Sequence, residues 1–242
     1  MIKISNLTKR FGNTIAVNDI SFEINDGEIF GLLGENGAGK TTTMRMLATM
    51  LKPTSGTATI NGYDIVEQPS EVRKHVGILF GGEAGLYDRL TARENIAYFA
   101  ELSGMEADKI NKRIDELAEI LDMRDFIDKR VGRFSKGMKQ KVTIARSIVH
   151  NPDVMLLDEP SIGLDVTTTR LLHDFIKSCK EQGKSVLYSS HIMSEIEKLC
   201  DRLAIIHKGV LITVCSIEDL KAKYQDQSLE EIFIKLVGGY HE

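Results

Sequence analysis

The chain of 242 residues lacks the features of a membrane or nucleic-acid-binding protein. No apolar run approaches the roughly 20 residues that a membrane-spanning helix needs, and residues 1–5 do not form the continuous apolar core of a signal peptide. Basic residues form no block, and the formal net charge is −4. We therefore expect no membrane span of its own and no nucleic acid as a main partner.

Cysteine is also scarce. Cys179, Cys200 and Cys215 are odd in number, widely spaced and without a metal-ligand pattern, which is typical of reduced thiols in a cytosolic protein. Internal repeats and low-complexity segments are absent. With 42% hydrophobic and 27% charged residues, the composition predicts a globular protein with a substantial core, as one large domain or two small ones.

A glycine-rich segment is the most informative motif. Residues 34–42 fit the phosphate-loop pattern G-x-x-x-x-G-K-[ST]. The apolar run 28–33 predicts a buried strand before it, and residues 42–48 predict a helix after it. In such a loop the backbone N–H groups surround an anion, the lysine reaches the β- and γ-phosphates, and the hydroxyl after it can bind Mg²⁺. The predicted phosphate-binding residues are Gly34, Glu35, Asn36, Gly37, Ala38, Gly39, Lys40, Thr41 and Thr42.

The segments around this loop predict β structure. Apolar residues alternate at Ile2 and Ile4 and again over 17–24, which indicates short strands joined by a turn at 11–13. Further strands are predicted at 57–60 and at 75–80.

Residues 91–150 predict a helical insertion. Thr91 and Glu94 form a capping box that opens the first helix. The third helix follows the segment 134–140, which begins with Phe134 and Ser135. The second helix is predicted from its apolar residues, which are Ile110, Ile114, Leu117, Ile120 and Leu121.

Acidic and basic residues then follow two more predicted strands. The apolar run 154–157 ends in Asp158 and Glu159, which is typical of a buried parallel strand with chemistry at its carboxyl end. His191 comes just past the strand predicted at 184–189. Taken alone, a lone histidine is more often a satisfied core or surface residue, and an Asp-Glu pair can simply start a helix.

The order of these motifs resolves the ambiguity. The phosphate loop, the helical insertion, Ser-Lys-Gly at 135–137, Asp-Glu-Pro at 158–160, Ser-Ile-Gly-Leu-Asp at 161–165 and then His191 together resemble the ATP-binding subunit of ABC transporters over nearly the whole chain. The resemblance implies an α/β phosphate-loop NTPase core with an N-terminal antiparallel β subdomain and an α-helical insertion. It also implies one ABC ATPase domain, and its parts would be 1–90 and 151–215 as core with β subdomain, 91–150 as helical subdomain and 216–242 as a short C-terminal helical tail.

The resemblance assigns catalytic roles. Lys40 and the loop amides would hold the phosphates of ATP. Thr41 would bind Mg²⁺, and Asp158 would hold the same ion through water. Glu159 would act as general base toward the attacking water, and His191 would bond the γ-phosphate and position that water.

The resemblance also implies a dimer. Phe11 matches the aromatic that stacks on adenine, where the family usually has Tyr and where Phe also stacks well; alone, Phe11 would read as a half-buried strand or turn aromatic. Ser135 and Gly137 would meet the γ-phosphate held by the other subunit, in a head-to-tail homodimer that forms with ATP, and Asp165 would reach across its interface. The segment reads Phe-Ser-Lys-Gly-Met-Lys-Gln where Leu-Ser-Gly-Gly-Gln is commonest.

One departure concerns the loop at 81–85. The family usually has a Gln there that touches Mg²⁺ and links to the membrane subunit, whereas this loop has none and carries Gly82 or Glu83 in the matching place. Either water replaces the Gln or Glu83 takes part, which puts the sensing role of the loop in doubt. The segments 85–95 and 229–233 look like NatA-type sodium-export and drug-efflux ATPases.

We therefore expect an ATPase, with ATP and Mg²⁺, that powers export through a separate multi-span permease from the cytoplasmic face of the membrane. Leu86 and Tyr87 are candidates for the permease contact, although both could belong to the core. The alternatives are a non-transport ABC ATPase acting on ribosomes or DNA, a nucleotide-binding regulator without turnover, and an importer. Intact Lys40, Asp158, Glu159 and His191 argue against the regulator, and the sequence does not encode the transported substrate.

Overall fold

The computed structural model describes residues 1–81, 85–225 and 227–238. Gly82 and Glu83, one of which is expected in the place of the missing Gln, lie outside these residues. The strands are β1 (Ile2–Phe11), β2 (Thr14–Ile24), β3 (Ile29–Leu33), β4 (Ser55–Ile60), β5 (Tyr63–Asp64), β6 (Val76–Phe80), β7 (Val154–Asp158), β8 (Ser185–Ser190), β9 (Arg202–His207) and β10 (Val210–Ser216). The helices are α1 (Lys40–Leu47), α2 (Pro69–His75), α3 (Ala92–Leu102), α4 (Ala107–Ile120), α5 (Lys136–Ile148), α6 (Val166–Glu181), α7 (Met193–Leu199), α8 (Ile217–Lys223) and α9 (Leu229–Gly238).

A six-stranded sheet forms the centre, in the order β10-β9-β3-β8-β7-β6. All neighbours pair in parallel except β10, which is antiparallel to β9. Parallel sheets are covered on both faces, so their strands are apolar throughout. This explains why β3 and β7 appear as unbroken apolar runs in the sequence.

Successive residues of the central strands belong to two different cores, because side chains along a strand alternate between the faces of a sheet. In β3, Ile29 and Leu33 pack into one core, and Phe30 and Leu32 into the other. The first core is continuous with the insertion helices, and the second lies between the sheet, α1 and the N-terminal strands. Both faces of the strands that carry the site are thus held by packing.

The N-terminal strands form a separate four-stranded antiparallel sheet, in the order β2-β1-β4-β5. This confirms the predicted antiparallel β piece. The first two strands are longer than the short strands predicted, with 10 and 11 residues. Register shifts between Ile4 and Arg10 let these strands bend while they stay paired.

The insertion is helical as predicted, and its capping box is present. The Glu94 backbone N–H donates to Thr91 Oγ1 at 3.1 Å, and the Thr91 N–H donates to Glu94 Oε2 at 2.7 Å. Ile120 lies in α4 as predicted, but its side chain is 68% exposed. At about 100° per residue, Leu121 returns to the face of Ile110, whereas Ile120 falls about a quarter turn away from it.

One helix, α2, was not predicted. The strand predicted from residue 75 begins at Val76, because His75 ends α2. This helix buries only Val72, so it lacks the apolar periodicity that reveals a helix in sequence. Among the described residues, no helix is long and apolar enough to cross a membrane.

Candidate functional site

The candidate site lies at the carboxyl ends of three adjacent strands. The phosphate loop follows β3, His191 follows β8, and Glu159 follows β7, and β8 lies between the other two strands. Because these strands are parallel and paired in register, their carboxyl ends meet at one edge. Three segments that are far apart in the sequence therefore converge.

Close backbone approaches shape the phosphate loop. Gly39 has a φ of +107°, and a Cβ there would lie 2.5 Å from the Ala16 carbonyl oxygen. A Cβ on Gly34 would lie 2.4 Å from the Ile206 carbonyl oxygen. The two glycines that define the motif thus occupy positions that no side chain can share.

Lys40, the first residue of α1, is buried with 4% exposure. Its Nζ donates to the carbonyl oxygens of Gly34 at 2.7 Å and Glu35 at 3.1 Å. These bonds fix the ammonium group inside the loop, at the end of a helix where anions bind well.

Glu159 stands between Lys40 and His191. Its Oε1 is 2.9 Å from Lys40 Nζ, and its Oε2 is 3.3 Å from His191 Nδ1. The Glu159 backbone is left-handed, with a φ of +46°, a conformation that costs free energy in a residue with a side chain. Its N–H donates to the Ser189 carbonyl oxygen at 3.1 Å, which holds this conformation in place.

Asp158 is the buried last residue of β7. Its Oδ1 accepts a 2.5 Å hydrogen bond from Ser189 Oγ, which in turn accepts from the Glu159 N–H at 3.1 Å. Sequence reasoning missed Ser189, and no local pattern singles out this serine within a strand.

The residues present fit a Mg²⁺ ion bound together with phosphates. Within the described part of the chain, no group of three or more His, Cys, Asp or Glu could hold a metal by itself. Mg²⁺ is usually held by one or two protein oxygens, phosphate oxygens and water. The Thr41 hydroxyl and the Asp158 carboxylate supply hard oxygen ligands of that kind.

Two cavities border the phosphate loop. The first, of about 210 Å³, is lined by Ala16, Asn36, Gly37, Gly39, Lys40, Thr41, Thr42 and Glu159. The second, of about 440 Å³, is lined by Gly34, Glu35, Asn36, His191 and Met193. His191 therefore faces the loop, as Glu159 does. Sequence reasoning missed Ala16, a small residue of β2 without a motif of its own.

The other predicted ligand residues do not line these two cavities. Phe11 ends β1 with half of its side chain exposed, and the Lys9 ammonium lies 5.2 Å from its ring centroid. Ser135 is the N-cap of α5, where its Oγ accepts from the Met138 N–H at 3.3 Å. Gly137 lies in the first turn of that helix.

Asp165 is the exposed N-cap of α6. Its carboxylate accepts from the Thr168 N–H at 2.8 Å, and this bond lowers the pKa of Asp165. The Lys136 ammonium donates to the Gly163 carbonyl oxygen. The segment that begins α5 is thus tied to the segment that precedes α6 within one chain.

The ABC transporter family model matches residues 17–162, from β2 to the segment after β7. The chain belongs to the ABC transporter family. ABC transporter ATP-binding protein NatA of Bacillus subtilis (strain 168) is 47% identical over 244 residues, which cover 99% of each chain. Bacitracin transport ATP-binding protein BcrA of Bacillus licheniformis is 40% identical over 92% of this chain and 72% of its own.

Solved structures agree. The ATP-binding subunit of an ABC transporter superposes with a TM-score of 0.88 at 28% identity, over 98% of this chain and 99% of the other. A dimeric post-hydrolysis state of the ATP-binding cassette MJ0796, bound to ADP and Pi, superposes with a TM-score of 0.79 at 25% identity, over 90% and 99%. These findings confirm the family and the fold predicted from the sequence.

This ABC ATPase is accordingly a transport ATPase that binds ATP and hydrolyses it to ADP and phosphate. ATP-binding subunits of the family dimerise and work with membrane permeases. The division of the chain into subdomains and the roles of the individual site residues stay predictions.

Proposed function

We propose that this chain powers export through a separate permease, with Lys40, Glu159 and His191 as the catalytic residues. The observation that carries the proposal is the Glu159 carboxylate, 2.9 Å from Lys40 Nζ and 3.3 Å from His191 Nδ1 at the mouth of the phosphate loop. A carboxylate can take a proton from the attacking water, and an ammonium and an imidazole can bind the phosphate oxygens during in-line attack.

The paired geometry supports an exchange of partners when ATP binds. Lys40 can leave Glu159 for the β- and γ-phosphates, and Glu159 is then free to take a proton from the attacking water. His191 remains beside Glu159 to orient that water and the γ-phosphate. Thr41 and Asp158 would hold Mg²⁺, which neutralises negative charge on the phosphates.

The second half of each site comes from another copy of the chain. Ser135 and Gly137 stand at the N-terminus of α5, a 13-residue helix, and such an end binds anions through its free N–H groups and its dipole. Both residues lie outside the cavities at the phosphate loop. We infer a head-to-tail homodimer in which they meet the γ-phosphate of the other copy, with Asp165 at the interface and Phe11 against adenine.

The permease contact is assigned to the surface next to the loop at 81–85. Tyr87 is 49% exposed and stacks edge-on against Tyr98, while Leu86 packs in part against the core. Attached to a permease there, the subunit would lie at the cytoplasmic face of the membrane. The likeness to NatA over the full chain makes sodium the first export substrate to test, with drugs second.

The alternative is a non-transport ABC ATPase that acts on ribosomes or DNA. Such a function needs basic surface for phosphate contacts, and the net charge of −4 speaks against it.

A pull-down of the tagged full chain from its native membranes in mild detergent tests the proposal. We expect a multi-span membrane protein to co-purify, and the pair in inside-out vesicles to move sodium when ATP is added. The same vesicles with Lys40→Ala are the control and should not move it. Ribosomal or nucleoid partners without a membrane protein would contradict the export function.

A further inference from the structure

The carboxylate of Glu195 is the centre of a buried hydrogen-bond cluster next to the catalytic residues. Glu195 lies on α7 and is 8% exposed. One of its oxygens, Oε2, accepts three hydrogen bonds, from Tyr188 Oη at 2.7 Å, Ser161 Oγ at 2.9 Å and Ser190 Oγ at 3.0 Å. Burying a carboxylate is unfavourable unless its hydrogen-bonding capacity is met, and three hydroxyls meet it here.

Two of the three hydroxyls come from the segments that carry the catalytic groups. Ser161 is two residues after Glu159, and Ser190 directly precedes His191. Ser190 Oγ also accepts from the Ile192 N–H at 2.9 Å, so the chain is held on both sides of His191. One carboxylate oxygen therefore joins the segment after β7, which carries Glu159, to the end of β8, which precedes His191.

A salt bridge does not account for the buried charge. Among the described residues, the basic group within 4 Å of the Glu195 carboxylate is His173, whose Nε2 is 3.8 Å from Glu195 Oε1, beyond hydrogen-bonding distance. Burial lowers the pKa of His173, which favours a neutral ring at pH 7. Burial and the Glu195 charge raise the pKa of Tyr188, so Tyr188 is the donor and Glu195 the acceptor.

We propose that Glu195 is a positioning residue for hydrolysis, which sets the separation of Glu159 and His191 by tying Ser161 to Ser190. The inference rests on the proposed catalytic roles of Glu159 and His191. Glu159 is held in a left-handed conformation, and without the tie the segment that follows it loses the hydrogen bond at Ser161 that anchors it to α7. Displacement of a catalytic group by about 1 Å lowers turnover by up to about 10²-fold.

Loss of the tie through Glu195 should not change nucleotide binding. Lys40 bonds to the carbonyl oxygens of Gly34 and Glu35, which lie outside the cluster around Glu195. Loss of the tie should therefore lower kcat and leave KM for ATP unchanged. A loss of activity caused by general instability would instead parallel the fall in the thermal midpoint.

Steady-state ATPase assays on the full chain test the proposal with Ser161→Ala, Ser190→Ala and the double variant. We expect each single variant to lower kcat about tenfold, with KM for ATP within about twofold of wild type. The double variant should fall little further than either single variant, because cutting the tie at either end releases both segments.

Tyr188→Phe is the matched control, because it removes a hydrogen bond to the same oxygen and leaves the Ser161 and Ser190 hydroxyls in place. It should lower the thermal midpoint and leave kcat within about twofold. Equal loss of kcat in Tyr188→Phe, or fully multiplicative losses in the double serine variant, would overturn the proposal. Glu159→Gln distinguishes the positioning role of Glu195 from the proposed catalytic roles. If Glu159→Gln abolishes turnover while the serine variants keep wild-type kcat, only the positioning role of Glu195 is contradicted. If Glu159→Gln itself turns over normally, the proposed catalytic roles fail.

Discussion

Two parts of the molecule bind phosphate in the proposed mechanism, and they are built differently. The first, the phosphate-loop edge, comprises residues 34–42 with Glu159 and His191; its charged side chains contact one another within one chain. The second, the signature face, comprises Ser135, Gly137 and Asp165; its two capping side chains are exposed and satisfy only their own helices. The edge is organised before a ligand arrives, whereas the signature face has its anion-binding groups turned outward.

The difference follows from the elements that carry each part. The edge stands on parallel strands with both faces buried, so backbone pairing and two cores fix its residues to a common frame. The signature face consists of two helix N-termini, which position their groups relative to one helix axis each. An exposed helix N-terminus can bind an anion that another molecule holds, whereas the phosphate-loop edge can bind an anion by itself.

The largest effect is expected at the edge, for Glu159→Gln. The amide keeps the size of the side chain but cannot take a proton from water, and loss of a general base lowers rates by about 10²–10⁴-fold. Phosphate release under saturating ATP and Mg²⁺ measures this. Glu71→Gln, which changes an exposed Glu71–Lys74 pair on α2, is the control and should keep wild-type kcat. Equal rates in all three proteins would contradict the assignment of Glu159.

The next effect breaks the signature face alone. Ser135→Arg places a bulky cation at the start of α5, so it should strongly lower hydrolysis and leave binding of a fluorescent ATP analogue intact. Lys40→Ala should instead weaken that binding. Each variant by itself should hydrolyse ATP only weakly, because each one disrupts both sites of a head-to-tail dimer.

Mixing the two variants sharpens the test. A mixed dimer joins the intact loop of one copy to the intact signature face of the other, so one of its two sites is whole. Equal amounts should recover up to about one quarter of wild-type activity if the two sites act independently in a symmetric dimer. Light scattering on Glu159→Gln with ATP and Mg²⁺ provides the parallel measurement. Inactive mixtures together with a monomeric Glu159→Gln would contradict the shared site.

Much of the edge could be predicted from the sequence, because its chemistry is local. The glycine spacing around Lys40 and the acids after the apolar run at 154–157 are both continuous motifs. The convergence of Glu159 with His191 could be expected from the convergence of parallel strand ends. The contact between Lys40 and Glu159 could not, because it depends on side-chain conformations in the folded site.

The tie through Glu195 lies beyond sequence reasoning for a different reason. Its three hydroxyl partners come from β8 and from the segment after β7, and serine or tyrosine in such places has many ordinary uses. Only the fold shows that they meet at one oxygen. The exposure of Ile120 shows the same limit on a smaller scale, since an apolar residue next to the end of a helix need not face the core.

A smaller effect is expected in the insertion, for Thr91→Ala. The change removes the acceptor for the Glu94 N–H at the start of α3 and should cost about 1 kcal/mol of the free energy of unfolding. For a chain of this size, that lowers the thermal midpoint by about 2–4 °C. Glu94→Gln is the matched control, because Gln also completes a capping box. A large loss of ATP binding in Thr91→Ala would contradict the view that the central sheet organises the phosphate-loop edge independently of the helical insertion.

The smallest effect is expected at the junction between α5, which starts at the signature face, and β6 of the central sheet. His150 follows α5, and its Nε2 lies 3.1 Å from the Val76 carbonyl oxygen of β6, so this nitrogen donates. Its Nδ1 is buried and has no hydrogen-bond partner among the described residues. Burial lowers the pKa of His150 from the ordinary 6.5. As pH falls through about 6.5, the unfolded chain takes up a proton that the folded ring resists, and stability declines until the folded pKa is passed.

Urea unfolding at pH 7.5 and 5.5 measures this decline. The free energy of unfolding should therefore fall less on acidification for His150→Gln than for wild type. Equal losses, or an NMR titration of His150 at or above 6.5, would contradict this account of the junction.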